Sequence, residues 1–244
     1  MFTTRTAVMS AAVLTALIGA PSIAQAQNFS GLAGVYNTGA SSANSSSPSQ
    51  LADSAADTPW TVSGPSTSGT QTAFVTDSST FPFPYWQPNT SESKWISPQA
   101  NYNGFGSDGV GAFTYTTTFS VLAGYNASQG TIAGYFADDN HVTAITLNGV
   151  THTITGDPGF PTFTNFSLTG LQSGVNTLSF TVDNAYNNPG NTGNPTGLNV
   201  KFDGALSGAA PTPEGSTMLS MVLLTLGGGV FLMRSRKRTS MTAA

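Results

Sequence analysis

The sequence predicts an all-β protein, and three observations support this prediction. Apolar and hydroxyl side chains alternate along several short segments, and Gly, Asn, Asp and Pro interrupt the chain between those segments. Between residues 27 and 207, no stretch shows a sustained helical period of apolar residues. Together these features indicate a single jelly-roll β-sandwich with no more than roughly one turn of helix in its loops.

Several segments carry the strand pattern clearly. In residues 113–121 one parity carries Phe113, Tyr115, Thr117, Phe119 and Val121 and the other carries only Thr or Ser, which predicts a half-buried strand. Residues 178–182 and 198–202 alternate in the same way, and a further strand opens at residue 130 and runs to residue 136. The pair Asn148-Gly149 lies between two short apolar runs and predicts a two-residue hairpin turn.

Composition and charge exclude several classes of protein. The chain has 244 residues and no Cys, which excludes a disulfide scaffold and a thiolate metal site. Between Asp53 and Asp203 only two basic residues face ten acidic ones, a net charge of −8 for the central body. An acidic body of this kind does not bind a phosphate backbone, so we expect no nucleic-acid partner.

The N-terminal segment, residues 1–26, has the pattern of a secretory signal peptide. Arg5 gives a thin positive region, and residues 7–20 form a short uncharged apolar stretch. Pro21 then precedes Ala24-Gln25-Ala26, a small-x-small cleavage site, so we expect removal after Ala26. The alternative is an N-terminal membrane anchor.

The C-terminal part has the pattern of a membrane anchor. Residues 208–215 form a Pro-rich spacer, residues 216–233 form an uncharged apolar stretch long enough to cross a bilayer core, and residues 234–244 form a basic tail. The positive-inside rule places the tail in the cytoplasm and the body outside the inner membrane. The alternative is a buried core helix.

The residues at this junction resemble a known family, the bacterial PEP-CTERM sorting signal. Pro213-Glu214-Gly215 stands before the apolar stretch and the Arg-rich tail follows it, in the order of that signal. Gly215 occupies the position of the second proline in the motif that names the family. The resemblance implies recognition by an exosortase, a membrane transpeptidase that would cut near Pro213-Glu214. The body would then be released or attached to the cell surface or extracellular matrix.

The body is similar in its motif order to the galactose-binding-domain-like jelly roll. We expect residues 27–57 to form a first strand, over residues 35–39, and a Ser-rich loop. The sandwich itself should cover residues 58–207, with a possible start near residue 34. The motifs that carry the resemblance are, in order, Trp95-Ile96, Tyr115-Thr116-Thr117-Thr118-Phe119, Ile132-Ala133-Gly134, Asp138-Asp139-Asn140, Leu147-Asn148-Gly149, Gly174-Val175-Asn176-Thr177-Leu178 and Val182-Asp183-Asn184. Such modules accompany many glycosidases, so the resemblance implies carbohydrate binding.

Candidate ligand-binding residues lie in two polar or aromatic loops. The run 81–86 alternates aromatic residues and proline, and we expect Tyr85 and Trp86 to stack on sugar rings. Asn188 and Asn194, in an amide-rich loop, are expected to supply polar contacts. The alternatives are that the first loop caps one end of the sandwich and that the second merely connects two strands.

Metal and catalytic candidates are fewer. Asp138, Asp139 and Asn140 cluster oxygen ligands and predict a structural Ca²⁺ site, with a solvated turn as the alternative. His141 and His152 lack a third ligand for zinc, and no G-x-S-x-G nucleophile motif occurs. No spacing nominates a catalytic carboxylate pair either. We therefore expect a non-enzymatic exported protein that binds extracellular polysaccharide, with a purely structural matrix protein or a glycan-active enzyme as alternatives.

Overall fold

The segments with period-2 alternation fold as strands in the computed structural model, which describes residues 29–102, 108–154, 156–185 and 193–203. The expected all-β class is confirmed. The only helical element in these described ranges is a single 3-10 turn, Ala127–Gln129. Eleven strands are present: β1 (Leu32–Ala33), β2 (Ala56–Ser63), β3 (Gln71–Val75), β4 (Ile96–Ser97), β5 (Gly111–Val121), β6 (Thr131–Asp139), β7 (His141–Leu147), β8 (Val150–Thr153), β9 (Thr164–Thr169), β10 (Gly174–Asn184) and β11 (Gly197–Phe202).

The strands form one curled antiparallel sheet, a half-barrel. Its order is β8-β7-β10-β5-β2-β3-β4-β11-β6-β9. In addition, β1 pairs with the last two residues of β5, Ser120 and Val121, whereas β2 pairs with residues 114–117 of that strand. The curl brings the two halves of the sheet face to face around an aromatic interior. Phe180 on β10 lies 5.8 Å from Phe136 on β6 and 5.5 Å from Phe166 on β9, measured between ring centroids. The sheet therefore encloses its own core in a sandwich-like way.

The β5–β10 ladder shows how the alternating sequence produces this burial. Register runs without interruption from Gly174 opposite Val121 to Asn184 opposite Gly111. The predicted apolar parity of both strands faces the core and is buried, whereas the hydroxyl parity is exposed or half-buried. The inward residues are Phe113, Tyr115, Phe119, Val121, Leu178, Phe180 and Val182.

The hairpin predicted at Asn148-Gly149 joins β7 to β8. Both residues adopt the left-handed backbone that a type I′ turn needs, with φ of 52° and 81°. The Asn148 side chain also fixes the turn against β10, because its Oδ1 accepts a hydrogen bond from the Thr177 N–H at 3.0 Å. The sequence signal and the tertiary contact agree at this turn.

The expected first strand over residues 35–39 is wrong, because this segment has no strand pairing. It instead lies beside β11 and satisfies that strand through side chains. The Val200 N–H donates to Thr38 Oγ1 and the Phe202 N–H donates to Asn37 Oδ1, both at 2.9 Å. The Thr38 N–H also donates to the Val200 carbonyl at 3.0 Å, so polar side chains and one backbone hydrogen bond take the place of a strand ladder. Because the segment from residue 29 onward contributes to the core, the folded body includes residues ahead of 34.

Several predictions fall outside the described residues. These are the signal peptide with Ala24 and Ala26, the sorting motif Pro213-Glu214-Gly215, the apolar stretch 216–233, the basic tail and Asn188. Within the part of the chain that is described, no helix combines the length and apolar character required to cross a membrane.

Asp57 on β2 is a buried carboxyl group that couples the fold to pH. Its Oδ2 accepts a hydrogen bond from the Gly39 N–H at 2.7 Å, while Oδ1 has no partner among the described residues. Burial raises the pKa of Asp57 to about 7, and the Gly39 hydrogen bond offsets part of that shift. The folded protein therefore holds a proton at Asp57 over a pH range in which the unfolded chain has released it.

The first prediction is that Asp57 lowers the stability of the fold as pH rises. Its contribution should be fully present below about pH 4 and lost as pH rises through about 7, at about 1.4 kcal/mol per pH unit between these limits. Urea unfolding of the wild type and of Asp57→Asn across this range should show a steeper decline in the wild type. Asp53→Asn, which removes a half-exposed ion pair with Lys94, should leave the decline in place. Equal pH dependence in wild type and Asp57→Asn would contradict the prediction.

Candidate functional site

Strand register collects acidic side chains at one end of the curled sheet. Gly197 at the start of β11 pairs with Asp139 at the end of β6, and Asp183 near the end of β10 pairs with His141 at the start of β7. The loop between β8 and β9 joins the same region, because its Asp157 accepts a hydrogen bond from the Val142 N–H. We call this region the acidic end and define it by Asp108, Asp138, Asp139, Asp157 and Asp183.

Asp108 is the most fully hydrogen-bonded carboxylate of the acidic end. It is buried, and its Oδ1 accepts hydrogen bonds from Ser66 Oγ at 3.1 Å and Gln99 Nε2 at 2.7 Å. Its Oδ2 accepts from the Tyr102 hydroxyl at 2.5 Å and the Thr196 N–H at 3.0 Å. Four donors compensate the burial of its charge, so Asp108 holds the starts of β5 and β11 together.

Trp86 belongs to a second, smaller apolar cluster outside the main core. Its ring stacks on Trp95, with centroids 4.3 Å apart, and its Nε1 donates to Asp139 Oδ2 at 2.8 Å. It also packs edge-on against Phe83, with ring centroids 6.0 Å apart, and closely on Gly197, where a Cβ atom would lie only 2.4 Å from the indole ring. The loop that carries Trp86 is thereby clamped onto the outer face of β6 and β11.

The structure corrects the sugar-stacking role expected for Trp86. Its side chain is only 2% exposed, and the rings and backbone around it leave no face for a ligand. The alternative reading, in which this loop caps the end of the sheet, fits Trp86. Its neighbour Tyr85 is different, because its side chain is 70% exposed and packs only edge-on near Phe81, at 6.3 Å.

Asn194, which was expected to supply polar contacts to a ligand, is used in contacts within the fold. It is nearly buried, and its carbonyl oxygen accepts a hydrogen bond from the Asp108 N–H at 2.8 Å. The same oxygen lies 3.4 Å from Asn184 Nδ2. Its own Nδ2 has no partner among the described residues. Asn194 thus ties the start of β11 to the start of β5.

Asp138, Asp139 and Asn140 do not converge on one point, so the expected cluster of these three side chains is not formed. Asp138 lies on the core-facing parity of β6, whereas Asp139 faces outward to Trp86. Asn140 Oδ1 accepts from the Ala185 N–H at 2.7 Å. Within the described ranges, no three His, Cys, Asp or Glu residues come together as a metal-binding group.

Burial is the main cause of the raised pKa values of Asp138 and Asp139. Burial and the neighbouring carboxylate of Asp157 raise the pKa of Asp138 to about 9. Burial also raises the pKa of Asp139, to about 6, against the lowering effect of the hydrogen bond from Trp86. Both groups therefore resist ionisation more than an exposed aspartate does.

The local sequence around Asp108 and Asp157, two residues of the acidic end, did not predict their contacts. Both lie in turn-forming sequence, and the contacts that join them to other elements are with Thr196, 88 positions from Asp108, and with Val142, 15 positions from Asp157. Asp157 precedes Pro158-Gly159, a turn pattern, which predicts a loop but not a contact with β6. The two histidines also stay apart, since His152 pairs with Ile145 and His141 with Asp183.

No protein-family model matches the chain, and no curated protein sequence matches it.

The second prediction tests the anchoring role of Trp86. Trp86→Phe removes the indole donor to the buried Asp139 and part of the stack on Trp95. It should therefore lower the free energy of unfolding by about 2–4 kcal/mol in urea titrations. Tyr85→Ala, one residue away, should change it by no more than about 0.5 kcal/mol, because Tyr85 is exposed. If both variants were equally stable, the clamp would not be energetically important.

Proposed function

We propose that this chain is an exported bacterial cell-surface or extracellular-matrix protein whose jelly-roll-like body binds carbohydrate and has no catalytic activity. One observation carries the proposal: an exposed tyrosine ring is held on a rigid loop directly above a buried aromatic clamp. Sugar rings present apolar C–H faces, and such faces stack on exposed aromatic rings.

The Tyr85 loop is ordered before any ligand arrives. The Tyr85 N–H donates to the Pro82 carbonyl at 2.9 Å, and the Gln87 N–H donates to the Phe160 carbonyl at 3.0 Å. Between these bonds, Trp86 fixes the loop to β6 and β11. Because the loop loses little conformational freedom on binding, more of the stacking energy contributes to affinity.

The charge of the body limits the class of carbohydrate that it can bind. Only two basic side chains, Lys94 and Lys201, lie between Asp53 and Asp203. Lys94 pairs with Asp53 at 2.8 Å, and Lys201 pairs with Glu92. In the described residues neither ammonium group is therefore free to bind an acidic polysaccharide, and the body is strongly negative. A neutral glycan is the ligand that this surface favours.

A purely structural matrix protein is the second candidate. The polar groups of the acidic end favour it, because the Asp108 carboxylate and the Asn140 amide are used in internal hydrogen bonds. Catalysis has weaker support, because a glycosidase needs two carboxyl groups facing each other across an open cleft. Asp138 and Asp139 are buried and lie on opposite faces of β6.

The third prediction separates binding from a structural role. Tyr85→Ala should weaken binding to neutral oligosaccharides about tenfold, because it removes the stacking ring, whereas Tyr85→Phe should retain most of the affinity. A glycan array followed by titration calorimetry measures both. Val175→Ala is the matched control, since Val175 is 69% exposed and lies at the start of β10, whereas the acidic end is at the other end of that strand. A folded wild-type protein that binds no neutral glycan would favour the structural alternative.

The export proposal rests on the resemblance to the PEP-CTERM signal. In this proposal the precursor is anchored in the inner membrane by residues 216–233. An exosortase then reads Pro213-Glu214, and the processed body reaches the cell surface or extracellular matrix. A proline at position 213 disfavours helix in the residue before it, and an extended peptide suits the groove of a transpeptidase.

The fourth prediction concerns this processing. Glu214→Ala should block cleavage and accumulate a full-length membrane form, whereas Thr217→Ala, just inside the apolar stretch, should be processed normally. Intact-mass analysis of the mature protein reads the result. Wild-type protein that still ends at Ala244 on most copies would reduce the tail to a plain membrane anchor.

A further inference from the structure

Strand β9 forms an outer edge of the curled sheet. It pairs with β6 along its whole length, and no other strand of the described residues pairs with its second side. No backbone hydrogen bond from those residues reaches that side either. Each strand residue carries one N–H and one C=O group, so an uncovered edge leaves a row of these groups without a protein partner.

The register of β6 shows which groups of β9 point outward. The Asp203 N–H donates to the Ala133 carbonyl at 3.2 Å, so Ala133 turns its backbone groups toward β11. Because these groups alternate in direction along a strand, the next residue, Gly134, turns its own toward β9. Its partner there, Phe166, bonds back to β6. By the same alternation, the groups that point away from the sheet belong to Asn165, Ser167 and Thr169.

The edge of β9 lacks the features that keep edge strands from pairing between molecules. Natural edge strands are very short, or carry charged side chains, proline or a β-bulge. By contrast, β9 has 6 residues, none of them charged and none proline, and its register on β6 is uninterrupted. The side chains of its outward residues are exposed. The edge strand at the other end of the sheet, β8, has only 4 residues, so β9 is the better template for pairing.

The edge of β9 matches itself when two copies meet around a two-fold axis. In the antiparallel register that sets Ser167 opposite Ser167 of the second copy, Asn165 lies opposite Thr169. Every outward N–H and C=O group of both strands then has a partner across the axis. The exposed side chains that face each other carry hydroxyl and amide groups, which pair favourably between strands.

The antiparallel arrangement also keeps the acidic ends of the two copies apart. Residues 158–182 contain no charged side chain, so no like charges meet at the contact. Thr164, at the start of β9, lies toward the acidic end, because its Oγ1 donates to Asp157. A two-fold axis at Ser167 separates the two strand starts by roughly 20 Å, at about 3.4 Å per residue. This separation exceeds the Debye length of about 8–10 Å, whereas parallel pairing would set the acidic ends side by side.

We propose that the chain associates with a second copy of itself through the outer edge of β9, by antiparallel pairing around Ser167. A second copy is the partner that this edge fits, because it brings an uncharged strand of equal length with its outward groups in the matching register. A contact of one short strand buries little area, so the dissociation constant should lie in the micromolar range. The association depends neither on carbohydrate binding nor on processing of the C-terminal segment.

The fifth prediction uses the absence of Cys from the chain, since a single introduced thiol then reports on one position. Opposite residues of a hydrogen-bonded antiparallel pair lie about 5.5 Å apart between Cα atoms, a distance that a disulfide bridges. On mild oxidation in neutral detergent, the full-length Ser167→Cys chain should form a linked dimer at least about tenfold faster than Thr177→Cys. Thr177 is the matched control, because it is exposed on β10 inside the sheet. Thr151→Cys, exposed on β8, should be as slow as the control in non-reducing electrophoresis.

A charged side chain at the axis gives an independent test. Ser167→Lys sets two ammonium groups face to face, so it should raise the dimer dissociation constant at least about tenfold in sedimentation equilibrium. Thr177→Lys should leave it unchanged. Both side chains are exposed, so both variants should keep the circular dichroism of the wild type.

Four results would each overturn the proposal. The first is a wild-type chain that remains a monomer, and the second is association that Ser167→Lys does not weaken. The third is linkage through Ser167→Cys that is no faster than through Thr177→Cys. The fourth is faster linkage through Thr151→Cys, which would assign the contact to β8.

Discussion

The uninterrupted ladder between β5 and β10 is the constraint on which the rest of the structure depends. Eleven residue pairs in one register fix the positions of both ends of both strands. At one end this register places Asn184 beside the start of β5, where Asn184 Nδ2 donates to the Gly109 carbonyl at 3.0 Å. At the other end it places Asn176 beside the β7–β8 hairpin, where its Oδ1 accepts from Asn148 Nδ2 at 2.7 Å. Phe180, in the middle, then carries the aromatic contacts that close the curled sheet.

A chain with so few charges and no cysteine must stabilise its loops by other means. Here side-chain hydrogen bonds to backbone groups stabilise the loops at several places. Thr38 and Asn37 bond to the part of β11 that β4 does not pair with, and Asp108 joins the starts of β5 and β11. Each such group is buried, so each satisfied bond avoids a desolvation cost and each is specific in geometry. Polar residues thus define where the loops lie, whereas aromatic residues define the interior.

Much of the fold could be predicted from the sequence, because period-2 alternation reports directly on which face of a strand is buried. That signal identified β5, β6, β10 and β11, and Asn148-Gly149 identified the β7–β8 hairpin. It did not reveal β2, where Pro59 interrupts the pattern and the pairing with β3 shifts register between Asp57 and Thr61. The strand expected over residues 35–39 came from the resemblance to the jelly roll instead, and that segment contacts β11 through the Thr38 N–H and through the side chains of Asn37 and Thr38 without forming a ladder.

The candidate site was less accessible to sequence reasoning, since its contacts join distant parts of the chain. Trp86 and Tyr85 are adjacent aromatic residues in one proline-rich run, and nothing local shows that one is buried and the other exposed. The difference arises from Asp139, which stands 53 positions along the chain and binds the indole. Asp138 and Asp157 likewise belong to separate elements and meet only through the register of β6, β7 and the following loop.

The dipeptide Asp138-Asp139 connects the β8–β9 loop with the loop that presents Tyr85. Because consecutive strand residues point to opposite faces, it delivers one carboxyl group to each side of β6. The inner group meets Asp157 and the β8–β9 loop, while the outer group holds Trp86 and, through it, the loop that presents Tyr85. Order at this end of the sheet and exposure of the tyrosine ring therefore depend on neighbouring residues of one strand. A loss of glycan binding after substitution of Asp139 would accordingly report a displaced Tyr85 rather than a lost contact with sugar, because the Asp139 carboxyl group is buried beneath the indole.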